Sequence, residues 1–313
     1  MTPATARRIL LGPQPDGAAL ARAARTVAPD GRAAVITAGW QEWEDDDEAL
    51  RAGLGSDTVN LRLYNRALDI WSGDPELARA HTRLGDQIRL LRRAYNVRLA
   101  RAMEAWLALE ELQGDPAVLE VERAEALAAV QALDRHHAVR LEALRTTYYE
   151  AYDPLLRPAV ARNREELQRI LDGVDVVVVA GGHLPALINR IRLMGVDTLL
   201  GSTDVVAASA GAMALAPRVV FFHDAPPWGP GHAELGEVGL GLVPDVVALP
   251  DPSTRLRLDD APRMARMARR FAPDTCLLLD PDETARWDGG RWQGGTARHL
   301  TATGTAEPWS GAA

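Results

Sequence analysis

Short unbroken apolar runs alternate with amphipathic stretches along most of this chain. Residues 8–12 and 33–39 are runs of the first kind, and residues 18–27 between them keep a helical period, so the chain opens as a βαβ unit. Residues 40–48 are acidic and carry two tryptophans; they lead into a helix, where carboxylates gain from the macrodipole as a solvated cap, a simpler reading than a metal site lacking EF-hand spacing. Residues 58–64 alternate like a third strand. Farther on, the four valines 176–179 form a buried-type strand that ends in Gly181-Gly182, followed by a helical pattern over 184–193. A second apolar strand, 204–208, runs through Ser209 into a helix of small residues, Ala210-Gly211-Ala212. Residues 218–224 read as another strand and 225–232 as a proline- and glycine-rich loop of the kind that rims sites. Residues 284–287 and 291–293 flank an Asp288-Gly289-Gly290 turn as a β-hairpin, 298–303 form a further strand, and 304–313 read as a disordered tail.

The middle of the chain has a different texture. From Pro75, apolar residues such as Leu77, Leu84, Ile88, Leu91 and Tyr95 recur at spacings near three and four up to Leu112, a helix of about nine turns at 3.6 residues each. After Gly114-Asp115-Pro116, Leu119, Val130, Leu133, Leu141 and Tyr148 continue at heptad-like spacing until Asp153-Pro154. The two pair as an antiparallel helical hairpin inserted over 65–157, dividing the main α/β domain into 1–64 and 158–303. Such an arm has little inner surface of its own, so it packs on a second subunit or roofs a cleft, and homo-oligomerisation is the favoured use. His81, His136 and His137 lie on or beside the apolar stripe without metal-ligand spacing, which makes them core or interface residues.

Composition is that of an ordinary globular chain, with 47% apolar and 25% charged residues. A formal net charge of −8 argues against nucleic-acid or anionic-membrane partners. No apolar stretch approaches the roughly 20 residues needed to span a bilayer, and the first residues lack a signal-type run, so the reading is a cytoplasmic protein. The single cysteine, Cys276, sits in an apolar run and reads as buried strand packing. All 35 basic residues are arginine, a side chain suited to bidentate carboxylate binding. Nothing in the sequence calls for a cofactor or a metal.

The chemistry gathers at Ser209. The segment Ala207-Ala208-Ser209-Ala210-Gly211 matches the small-x-Ser-x-Gly pattern of a nucleophile elbow, in which small neighbours allow a strained turn to lift a serine hydroxyl above the sheet. The glycines after the valine strand leave a backbone N–H free to point into a cleft, and with the amide of Ala210 they could form an oxyanion hole. Together with Gly239-Leu240-Gly241-Leu242-Val243-Pro244, Ser253-Thr254-Arg255-Leu256-Arg257 and the ending Leu278-Leu279-Asp280-Pro281-Asp282-Glu283, these motifs resemble the serine peptidase family of dipeptidase E and cyanophycinase. The resemblance covers 172–303 well and the first 64 residues loosely, and leaves 65–157 without a counterpart.

That resemblance implies a flavodoxin-like fold of the class I glutamine amidotransferase type, a parallel sheet with helices on both faces. It makes Ser209 the nucleophile and the amides of Gly182 and Ala210 the oxyanion donors, with Gly181, His183 and Arg255 beside the substrate. The family's general-base histidine falls within 247–253, where this chain carries Pro250 and Asp251 instead. An unperturbed carboxylate near pKa 3.9 is a much weaker base than an imidazole near 6.5. Asp251, His232, His223 and His183 are therefore the candidate bases, His232 being the best guess. Asp280, Asp282 and Glu283 are available to orient a histidine or to cap a turn. Two functions follow: a serine hydrolase acting on a small acidic peptide or amide bond, or a catalytically silent relative serving as a ligand-binding or assembly scaffold. A cysteine-dependent amidotransferase is excluded, since the elbow carries serine.

Overall fold

A computed structural model describes residues 6–26, 28–224 and 231–311. The chain opens with β1 (Arg8–Leu11), α1 (Gly17–Arg25) and β2 (Ala33–Ile36). Asp16 caps α1 by accepting the Ala19 N–H at 2.8 Å. The helix ends at Arg25, and Val27, expected as its last residue, lies outside the described residues. Next come α2 (Glu48–Leu54) and β3 (Val59–Asn60). The strand expected over 58–64 shrinks to two paired residues because Leu63 already begins α3 (Leu63–Gly73). The acidic run explains why. Glu44 is fully buried rather than solvated, and its carboxylate accepts the first free amides of α3, Tyr64 N–H at 2.9 Å and Asn65 N–H at 2.8 Å. Burial nonetheless raises the Glu44 pKa, with those two hydrogen bonds opposing it.

Two 37-residue helices follow, α4 (Pro75–Glu111) and α5 (Pro116–Tyr152), each with proline in its first turn and an aspartate N-cap. The chain continues through α6 (Pro158–Leu171), β4 (Val176–Val179), α7 (Leu184–Leu193), α8 (Val196–Leu199), β5 (Asp204–Ala208) and α9 (Ala210–Leu215). The last third holds β6 (Arg218–Phe221), β7 (Glu234–Val238), β8 (Val246–Pro250), α10 (Pro252–Arg255) and α11 (Ala261–Phe271). It ends with β9 (Thr275–Leu279), β10 (Thr284–Asp288), β11 (Arg291–Gly295), β12 (Arg298–Leu300) and β13 (Ala306–Pro308).

The architecture is α/β with a mostly parallel central sheet, ordered β11-β10-β1-β5-β4-β2-β3. Within it β1, β5, β4, β2 and β3 are parallel, and β10 with β11 closes one edge antiparallel. A flavodoxin-like sheet runs 2-1-3-4-5; here the parallel block numbered along the chain runs 3-2-4-5-1, with the first strand where that order places the last. Two smaller sheets accompany it, β13-β12-β9-β8 and the antiparallel ribbon β6-β7. Alternate side chains of each central strand face opposite layers. Val176 and Val178 pack with Leu20 and Leu50 on the α1–α2 side, while Val177 and Val179 join Leu187 and Leu167 on the other.

Residues 304–311 pack against the fold where a tail was expected. Trp309 is buried, its ring 4.9 Å from that of Trp292, and its N–H donates to Ala297 at 2.9 Å. Exposure of polar residues around 301–307 hid that one apolar anchor. The helices α4 and α5 pack along each other, and α5 also lies on β7 and α11. Buried ion pairs fix this contact: Arg270 of α11 binds Asp134 at 2.8 Å, and Arg145 binds Glu237 of β7. Tyr95 joins the first pair, donating to Asp134 at 2.8 Å and accepting the Leu235 N–H at 3.1 Å. Among the described residues no helix is long and apolar enough to cross a membrane.

Candidate active site

The C-terminal ends of the parallel strands converge around Ser209. Parallel pairing aligns Leu11 with Ala208, and the Ser209 N–H donates to the Leu11 carbonyl at 3.0 Å. The chain then turns abruptly into α9, with Ser209 held at φ 53°, ψ −119°, a conformation an L-residue adopts only when its surroundings impose it. Gly211 shows what imposes it. A Cβ there would sit 2.6 Å from the Val179 carbonyl oxygen, so α9 packs on β4 at a distance only glycine permits. Ser209 itself is half-buried, and its hydroxyl makes no hydrogen bond among the described residues.

Beside it runs the loop after β4. A Cβ on Gly181 would lie 3.0 Å from the Ser209 Cβ, which places this loop against the serine. Gly182 has φ +103° and would meet the Gly39 carbonyl at 2.4 Å if it carried a Cβ. Neither the Gly182 N–H nor the Ala210 N–H donates to a protein acceptor among the described residues. His183 is anchored at both ends: its N–H donates to Gly39 at 2.6 Å, and its Nδ1 accepts the Ala186 N–H at 3.2 Å as the N-cap of α7. An Nδ1 acting as acceptor puts the proton of the neutral ring on Nε2.

Strand β8, paired in parallel with β9, packs against α9. Asp251 ends β8 in the left-handed conformation, φ 57° and ψ 45°, its N–H donating to Leu279 at 2.9 Å. Its half-buried carboxylate accepts no hydrogen bond among the described residues. Arg255, four residues on, lies over the Phe222 ring at 4.5 Å and donates to the Phe222 carbonyl at 3.2 Å. Burial lowers its pKa, with Asp251 opposing. Asp280 and Glu283, expected to orient a histidine or cap a turn, do cap: Glu283 accepts the Asp280 N–H at 2.8 Å and Asp280 accepts the Ser253 N–H at 3.1 Å and its hydroxyl, and both also hold Arg298. Asp282 joins neither pair, its carbonyl accepting the Thr296 hydroxyl at 3.2 Å.

His223 and His232 lie together. They line a cavity of about 70 Å³ between α4 and α11, with Trp106, Met267 and Phe271, and Ser209 is not among its lining residues. Burial lowers the His232 pKa, assisted by Arg263, Arg270 and Arg266. Residues 225–230 of the loop expected to rim the site lie outside the described residues. The sequence reading overlooked Trp40 and Gln41. Gln41 has φ 59° and ψ −121°, nearly the conformation of Ser209, and Trp40 Cδ1 lies 3.1 Å from where a Gly182 Cβ would be. Gly39, a glycine ending a buried strand as Gly181 does, was the available signal. Cys276 is buried in β9 with its pKa pushed up to about 12. Among the described residues no three His, Cys, Asp or Glu side chains converge to hold a metal ion.

Among the solved structures that resemble this chain are the following two. A peptidase from an acI-B1 actinobacterium aligns with a TM-score of 0.47 and 12% identity over 98% of this chain and 95% of its own. A protein from Listeria monocytogenes EGD-e, provisionally named peptidase E, aligns with a TM-score of 0.40 and 10% identity over 95% of this chain and 100% of its own. No protein-family model and no curated protein sequence matches the chain.

Proposed function

We propose that this protein is a serine hydrolase that cleaves a small acidic peptide or amide bond, with Ser209 as nucleophile. The observation that carries the reading is the backbone of Ser209, held at φ 53°, ψ −119° between strand and helix with its hydroxyl unengaged. Strain of this kind costs about 1–3 kcal/mol and persists where the surroundings over-determine it, characteristically at active sites. In this scheme the Ser209 Oγ attacks the scissile carbonyl and its proton passes to a base. The new oxyanion accepts hydrogen bonds from the free amides of Gly182 and Ala210, and the amine departs with a proton. Water then releases the acyl group by the same route. Arg255, outside ion-pair distance of any described carboxylate, supports an acidic substrate.

The base is drawn from four groups. Asp251 falls within 247–253, the segment in which the resembled family carries its histidine. His183 belongs to the loop that abuts Ser209, although its N-cap bond leaves Nε2 as the donor. His223 and His232 both line the cavity between α4 and α11, and burial lowers the His232 pKa. One observation favours the alternative, a silent ligand-binding scaffold: no histidine nitrogen hydrogen-bonds to Ser209 among the described residues.

Labelling with a fluorophosphonate serine probe, read by intact mass, decides between them. The hydrolase reading expects labelling of the wild type, none of Ser209→Ala, and loss in one of Asp251→Asn, His183→Ala, His223→Ala or His232→Ala. Absence of labelling across a wide pH range would refute an activated serine and leave the scaffold reading.

A further inference from the structure

The outer faces of the two long helices differ in how their charges are used. On α4, Asp86 pairs with Arg89 and Arg101 with Glu104, each within its own helix. On α5 the outward positions Val121, Glu125, Ala128, Ala132, Arg135 and Val139 recur at spacings of four and three, all exposed. They lie on the side of the helix opposite Leu133, His137 and Leu141, which face the protein. Val121 and Val139 are 59% and 66% exposed, and Glu125 and Arg135 have no ion-pair or hydrogen-bond partner among the described residues.

In chain order the six read Val-Glu-Ala and then Ala-Arg-Val, a pattern that maps onto its own reverse with glutamate opposite arginine. We propose that this face of α5 pairs antiparallel with α5 of a second copy of this chain about a two-fold axis. Such an interface is isologous: each contact occurs twice. Val121 layers against Val139 of the second copy, Ala128 against its Ala132, and Glu125 against its Arg135. The central alanines let the helices approach closely, and Val118, 58% exposed, extends the stripe toward the tip. Charge complementarity selects the occupant. A parallel arrangement would set Glu125 against Glu125 and Arg135 against Arg135, whereas the antiparallel one answers each charge with its opposite.

The test is sedimentation velocity of the full chain and of two surface variants, with circular dichroism confirming their helix content. The wild type is expected to sediment as a species of twice the 33.9 kDa chain. Glu125→Arg and Arg135→Glu are each expected to weaken dimerisation about tenfold or more, because each sets like charges in both charged layers. Mixing the two variants restores the dimer, since one copy then carries arginine and the other glutamate at both positions. A wild type that stays monomeric up to about 100 μM, a dimer indifferent to both substitutions, or a mixture that remains monomeric would each overturn the proposal.

Discussion

His137 gives the sharpest handle on the energetics of the helical arm. Its ring is 1% exposed and stacks on Tyr95 at 4.1 Å, and neither ring nitrogen has a hydrogen-bond partner among the described residues. Burial pushes its pKa down to about 4; Asp134 and Glu234 oppose this, while Arg92 and His136 add to it. The sign follows from linkage. Between the unfolded value near 6.5 and the folded value near 4, the unfolded chain takes up a proton that the folded protein refuses, so stability falls as pH falls through that window. Above about pH 6.5 the contribution is complete. A shift of this size corresponds to about 3 kcal/mol, most of which is lost between about pH 7.5 and about pH 4.5. His81, also near 4 and lodged against Trp71, acts in the same direction. His137→Phe keeps the ring and the stack and removes both orphan nitrogens. Urea unfolding should show it about 1–3 kcal/mol more stable than wild type at about pH 7.5, and losing about 2–3 kcal/mol less on acidification. Equal losses in the two proteins would refute the argument.

Three further outcomes are expected. Ser209→Gly should stabilise the fold by about 1 kcal/mol through release of the strained φ, while abolishing probe labelling; thermal melts and labelling are the paired measurement. Gly182→Ala forces a Cβ to 2.4 Å from the Gly39 carbonyl, and should cost about 1–3 kcal/mol and most of the labelling rate. Asp134→Ala strands the Arg270 guanidinium in the interior and should cost about 3–5 kcal/mol by urea titration, and a variant within about 1 kcal/mol of wild type would show that this pair contributes little.

Much of the central sheet is legible because its determinants are local. Four valines followed by glycines can hardly be anything but a buried strand ending at a close approach, and the small residues around Ser209 announce the turn that Gly211 then enforces. The helical period of 75–112 and 116–152 likewise needs no tertiary information. What escaped depends on distant partners. Glu44 caps a helix that begins 19 residues later, so nothing near it distinguishes it from its exposed neighbours Asp45 and Asp46. Trp309 is anchored by Trp292 and Ala297, and its polar surroundings conceal it. The base could not be read because it depends on which loops meet Ser209, and loop placement is set by strand order rather than by any motif.

That strand order also dictates a timetable for synthesis. β1 leaves the ribosome first, yet both of its neighbours, β5 and β10, lie about 200 and 280 residues downstream. The paired helices α4 and α5, whose contacts are mutual and nearby in sequence, emerge meanwhile and can close on themselves early. The nascent chain therefore carries an unpaired apolar strand through most of its translation, and the serine turn, which needs Leu11 from that strand, is assembled only after the helical arm has already formed.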